Sequence, residues 1–236
     1  MTNKAKNLKG SSMEQIREFV NKMREEIKEN EGFPKVHCSK ENRKMTEAVL
    51  SVSLPPVVTC ANCGGCSKFC YAIKMARIYK NCGTSWAKNY ARLLSDEEGY
   101  FNDIRNELAT GKFKFFRWHV SGDIVNDSYF AHMVAIAKEF TNIKFLAFTK
   151  NYKVVNAWMA VNGDVPENLR IVYSAWVGTP MDNPYNMPTS NPMFADGSTT
   201  AHEGAKYCPG NCANCASHNM GCWSLAKREE VLFFIH

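Results

Sequence analysis

The chain has 236 residues, 45% of them hydrophobic and 22% charged, with a net charge of +6. That is an ordinary globular composition with apolar content enough for one sizeable core, and no apolar run reaches the roughly 18 residues of a membrane span. The basic opening segment, residues 1–12, has no apolar stretch behind it, which reads against a secretory signal and toward a cytoplasmic setting. The mild positive charge permits nucleic acid or another anionic partner without requiring one.

In chain order, Ser11-x-x-Glu14 reads as a capping box, and Ile16, Phe19, Val20, Met23 and Ile27 follow at helical spacing. Gly32 and Pro34 stop that helix. Residues 48–54 read as a strand halted by Pro55 and Pro56. Residues 71–80 and 85–94 are helical candidates, and Ser95 with Glu98 opens a further helix through Phe101, Ile104 and Leu108. An alternating series follows: a strand over 112–120, a helix over 128–140, a strand over 143–148, a short helix over 154–160 and a strand over 169–177. Strand–helix alternation predicts parallel strands with right-handed crossovers. About four strands are too few for a closed eight-stranded barrel. The expected fold is therefore α/β, a partial parallel β/α barrel or an open parallel sheet with cysteine-rich metal-binding segments. Residues 178–207 carry four prolines and little periodicity, and read as a long functional loop. The expected organisation is an N-terminal helix over 1–35 and a single α/β domain over 36–236.

Ten cysteines are the unusual number, and eight fall in two tight groups. The first, at 60–70, is Cys60-x2-Cys63-x2-Cys66-x3-Cys70; the second, at 208–222, is Cys208-x3-Cys212-x2-Cys215-x6-Cys222. In a reducing compartment clustered thiols bind metal more often than they form disulfides. The first spacing is the bacterial ferredoxin ligand run, with Tyr71 where that run usually has proline. Its compactness favours one or two [4Fe–4S] clusters, and zinc is the alternative, because paired C-x2-C units also serve zinc ribbons. Cys38 and Cys82 stand outside both groups and read as small buried apolar residues.

Polar residues gather where three strands are expected to end, the edge at which parallel sheets collect their sites. Ser121, Gly122 and Asp123 follow the first such strand, Thr149 and Lys150 the second, and Ser174 lies near the end of the third. Asp123 is an acid, base or hydrogen-bond acceptor candidate, with a helix cap as the bland reading; Asp127 or Ser128 is the better placed cap. His132 reads as structural, while His202 and His218 flank the second cysteine group as candidate ligands or supports. The aromatics of 112–118 read as strand packing. No phosphate loop, G-x-G-x-x-G or nucleophile elbow is present.

These residues resemble the phage gene product 88 domain family. The resemblance is carried by residues 51–60 (SVSLPPVVTC), Cys66-x3-Cys70-Tyr71-Ala72, His119–Asp123, Phe148-Thr149-Lys150 and the cysteine-rich tail, and spans roughly residues 40–225. It implies a phage or prophage origin and a host cytoplasm, and no settled activity. A more distant likeness is to radical S-adenosylmethionine enzymes, which set a [4Fe–4S] cluster beside a partial parallel barrel. Ser121-Gly122-Asp123 looks like their glycine-rich motif for the methionyl amine, and Thr149-Lys150 like their next polar strand end. Their C-x3-C-x2-C spacing is reversed in the first group and occurs only at Cys208, Cys212 and Cys215, after the strands.

Two expectations follow. In one, the chain is an iron–sulfur enzyme using reductive or radical chemistry with S-adenosylmethionine and an electron donor. Ser121, Gly122, Thr149 and Lys150 then line the cofactor cavity, and Asp123 is catalytic. In the other, metal stabilises a nucleic-acid-modifying or nucleic-acid-binding phage protein. A metal-stabilised interaction module is the bland third case.

Overall fold

The computed structural model describes residues 12–32, 34–40 and 49–235. Residues 1–11, with Ser11 of the expected capping box, and Ala48 of the first strand lie outside them. Helix α1 (Met13–Glu31) is capped one residue later than expected: Ser12 Oγ accepts from Gln15 N, and Gln15 Oε1 accepts from Ser12 N. The helices α2 (Tyr71–Ile78), α3 (Lys80–Ser95), α4 (Glu97–Ala109), α5 (Asp127–Glu139), α6 (Tyr152–Asn162) and α7 (Cys212–Ser217) follow. Ser95 closes α3, so Asp96 caps α4 by accepting from Gly99 N. Asn126, and neither Asp127 nor Ser128, caps α5.

The strands are β1 (Val49–Val52), β2 (Phe115–Trp118), β3 (Lys144–Thr149), β4 (Leu169–Ser174), β5 (Thr189–Met193), β6 (Lys206–Tyr207) and β7 (Glu230–Phe234). They form one seven-stranded sheet in the order β1-β2-β3-β4-β5-β7-β6, parallel throughout. The sheet is open, with β1 and β6 at its edges, and does not close into a barrel. It is wider than the expected four strands because β5 and β6 rise from the segment read as irregular and β7 from the tail. The sequence of β5, Thr-Ser-Asn-Pro-Met, carries almost no apolar signal. Its buried polar groups are satisfied by neighbours: Ser190 Oγ meets Ser174 Oγ at 3.2 Å, and Thr200 Oγ1 donates to Asn191 Oδ1 at 2.8 Å.

A parallel sheet is buried on both faces. On one face Leu50, Phe116, Trp118, Phe145 and Ile171 pack under α4, α5 and α6, through Phe101, Ile104, Tyr129, Phe130 and Val155. The alternate residues Val49, Leu146 and Val172 turn to the other face, where Cys215, Ala216, Trp223 and Leu225 of the cysteine-rich tail cover them. This two-sided burial leaves the C-terminal strand ends as the place where loops meet.

Candidate functional site

Those loops enclose a cavity of about 300 Å³. The loop after β1 contributes Cys60, Cys63, Cys66 and Cys70; β2 contributes His119, Ser121, Gly122 and Asp123; β3 contributes Thr149 and Lys150; β4 and β5 contribute Ser174, Trp176, Ser190 and Asn191. The structure therefore brings together the first cysteine group and all the polar strand ends read from the sequence. None of the second group's thiols lines this cavity.

The cysteine loop is anchored on several sides. Phe69, in a 3₁₀ turn over Gly65–Phe69, packs 6.0 Å from the Trp176 ring and 5.9 Å from Phe194. Asn62 Nδ2 donates to Lys150 O, and the Tyr71 hydroxyl donates to Val120 O. Ile16 and Val20 of α1 pack with Val57 and Ile73 against the sides of Cys63 and Cys70. The N-terminal helix thus covers the outer side of the first cysteine group. The thiols lie side by side: Cys63 shares hydrogen bonds with Cys60 and Cys66, and the bond with Cys60 pushes its pKa up to about 11. Cys66 is raised by its bond with Cys63 and by burial, and Lys150 pulls it back. Burial raises Cys70 against the N–H groups of Ile73 and Ala72 at the start of α2. A metal would replace these shared protons, so binding would release protons.

Gly122 and Asp123 fix the strand-end loops to each other. Gly122 has φ +88°, and a Cβ there would lie 2.7 Å from Thr59 Oγ1 and 2.8 Å from Leu54 Cβ. The glycine is required because the β2 loop presses on the segment that leads into the cysteines. Asp123 is buried and accepts three hydrogen bonds: from Thr149 Oγ1 at 2.6 Å, Ile124 N at 2.7 Å and Lys150 N at 2.9 Å. Burial pushes its carboxyl up, and these donors pull against that shift. Thr149 Oγ1 also accepts from Asn151 N at 2.8 Å. Asp123 and Thr149 therefore form a latch between the ends of β2 and β3. Lys150 keeps its ammonium free of this latch, 5.9 Å from the Trp176 ring centroid.

His119 and Ser121 differ from the latch residues. His119 takes φ +54°, a costly conformation outside glycine that is found where a site demands it. Its Nε2 meets Tyr129 Oη at 3.0 Å, which meets Tyr100 Oη at 3.1 Å. Burial lowers the imidazole pKa to about 3, so the ring is neutral. Its Nδ1 and the Ser121 hydroxyl are both buried without a partner in the protein.

The second cysteine group sits on the sheet face opposite α4–α6. Cys208, Cys212 and Cys222 pack with Phe115, Phe148 and Phe233 around the cluster that contains buried Cys215. Gly210 N lies 3.4 Å from Cys208 Sγ, and Arg117 Nη1 lies 3.6 Å from Cys212 Sγ. Burial raises Cys222 to about 12, while Arg117 opposes that shift. Arg117 also lines the cavity, so it stands between the two cysteine groups.

The remaining candidates lie away from this cavity. His132 stacks on Phe101 at 4.2 Å. His202 Nδ1 pairs with Glu230 at 3.0 Å, and His218 Nδ1 meets Asn214 O at 2.9 Å at the end of α7. Cys38 is buried in the main core, and Cys82 lies on α3. Sequence reasoning missed Arg117, Phe69 and Trp176 at the cavity. Arg117 was legible as a charge between aromatic residues of a strand, Phe116 and Trp118; the other two depend on loops meeting in space.

Among the described residues, no three His, Cys, Asp or Glu side chains are already gathered as a metal-ion site. The donor set of the first group, four thiols on one short loop facing one cavity beside a lysine, is nonetheless of the kind that iron–sulfur clusters take. Fold and site together define an open-sheet α/β protein with a thiol-lined pocket at its strand ends. The chain belongs to a phage protein family: the family model described as Gene product 88 matches residues 35–179. The matched stretch includes the first cysteine group and the strand-end residues through Trp176, and ends before the second group. No curated protein and no solved structure matches the chain. No helix among the described residues is long and apolar enough to cross a membrane.

Two substitutions test this geometry. Asp123→Asn puts an amide N–H₂ against one of three donors, and chemical denaturation is expected to show a loss of about 1–3 kcal/mol. Gly122→Ala combines a positive φ with a clash against Leu54 and Thr59, and is expected to cost about 2 kcal/mol or more and to loosen the cysteine loop, seen as faster proteolysis between residues 55 and 70.

Proposed function

We propose that this chain is an iron–sulfur protein whose first group, Cys60, Cys63, Cys66 and Cys70, holds a [4Fe–4S] cluster that serves reductive or radical chemistry on a small molecule in the strand-end cavity. One observation carries the reading: the four thiols and the polar ends of β2 to β5 line the same cavity. When bound, such a cluster supplies one-electron chemistry, which requires an external electron donor. The chain's own residues do the rest. Phe69 and Trp176 close the loop over the cavity and limit water. Lys150 offsets thiolate charge at Cys66 and Cys70. The Asp123–Thr149 latch keeps the strand ends at fixed separation.

The finer reading takes S-adenosylmethionine as the co-substrate and requires that only three of the four thiols hold the cluster, leaving one iron for it. It is supported by order in the fold: the thiol loop follows β1, the Ser121-Gly122-Asp123 loop follows β2, and Thr149-Lys150 ends β3. The second cysteine group is a separate structural metal site that clips the tail to the sheet. The working compartment is the cytoplasm of the phage's host.

Anaerobic purification tests this. The expected protein is brown, with broad visible absorption, iron and acid-labile sulfide. A colourless protein with stoichiometric zinc overturns the proposal. With clusters fully loaded and reduced, cleavage of S-adenosylmethionine supports the finer reading, and its absence removes it.

A further inference from the structure

We infer that the end of β2 builds an oxyanion-binding subsite in this cavity, taking the carboxylate or phosphate group of the small molecule bound there. Four polar atoms on the stretch 117–121 are buried without a hydrogen-bond partner; Trp118 Nε1 lies in the main core, and the other three, Arg117 Nε, His119 Nδ1 and Ser121 Oγ, belong to residues that line the cavity. His119 and Ser121 are 4% and 3% exposed. Buried polar atoms in folded proteins are almost always hydrogen-bonded, so orphans on three cavity-lining residues of one strand end mark the place of a missing partner.

The chemistry of that partner follows from the donors. The Arg117 Nε–H and the Ser121 O–H both donate, and the first carries positive charge. The charged residues lining the cavity are Arg117, Lys150 and Asp123. The Asp123 carboxylate already accepts three hydrogen bonds, from Thr149, Ile124 and Lys150. Lys150 sits beside the thiols Cys66 and Cys70, so Arg117 is the cation at this end of the cavity; the one acid is engaged, and an oxyanion fits both the hydrogen-bonding and the charge. The Arg117 guanidinium divides its roles, with Nη1 toward Cys212 Sγ and Nε left for the ligand. This subsite rests on the cavity proposed above as the functional one, but not on which metal the thiols hold.

The test uses the anaerobically purified full chain, whatever metal it carries, so failure of the iron–sulfur reading leaves it interpretable. Inorganic phosphate and acetate are titrated by calorimetry against sodium chloride at matched ionic strength. Saturable binding of either anion, absent with chloride, supports the subsite and tells a phosphate-bearing from a carboxylate-bearing ligand. Ser121→Ala removes a hydroxyl that has no protein partner, so the melting temperature is expected to hold while affinity falls about tenfold. Arg117→Gln is expected to weaken binding further. No saturable binding of either anion overturns the inference and leaves water as the partner of these atoms. So does unchanged affinity in folded Ser121→Ala and Arg117→Gln.

Discussion

The site depends on one close contact, the β2 loop pressed at Gly122 onto the Leu54–Thr59 segment. No side chain fits between them, since even a Cβ at Gly122 would lie within 3.0 Å of Thr59 and Leu54 atoms. Because the segment runs directly into Cys60, this contact sets where the thiols begin. Leu54 N also donates to Ser121 O at 2.9 Å, extending the β1–β2 pairing past the strands themselves. The Asp123 carboxylate then carries the constraint sideways to β3. A loop with four cysteines is intrinsically pliant, and these neighbours give it one orientation.

The same sheet separates two thiol environments. The first group stands at the strand ends beside polar residues and a lysine, in an open cavity. The second lies against the apolar face formed by Val49, Leu146, Val172 and Val231, under Trp223 and Leu225. Gly221, at φ +59°, lets the chain turn where an added Cβ would lie 3.0 Å from Cys215 Sγ. One group faces the cavity and the other packs the tail onto the sheet. Arg117 touches both settings, so a change of charge at either group alters the field at the other.

Much of this was legible in the sequence where hydrophobic periodicity was strong. The helices around Phe101, Ile104 and Met133 and the strands β2, β3 and β4 follow their patterns, and the polar strand ends at Ser121, Asp123, Thr149 and Lys150 do meet at one cavity. The strand β5 was not legible, because Thr189, Ser190 and Asn191 are polar and are satisfied in the interior by hydrogen bonds to neighbouring elements, Thr189 to Glu230, Ser190 to Ser174 and Asn191 to Thr200. The caps slipped by a residue because Ser12, Asp96 and Asn126 compete with equally good neighbours at Ser11, Ser95 and Asp127. Asp123 read as an acid, base or hydrogen-bond acceptor, with a helix cap as the bland alternative; its three donors come partly from β3 and were not legible from its own strand end. Phe69 and Trp176 meet across more than a hundred residues, and no local pattern encodes such a contact.

The central claim is that the first cysteine group holds an iron–sulfur cluster of its own. It is tested most directly by counting iron and acid-labile sulfide in anaerobically purified Cys66→Ala and Cys215→Ala variants beside the parent protein. The account predicts that Cys66→Ala loses the cluster facing the cavity and keeps its fold, while Cys215→Ala leaves that cluster in place. Undiminished iron and sulfide in Cys66→Ala, or loss of all iron from Cys215→Ala in a folded protein, would contradict it.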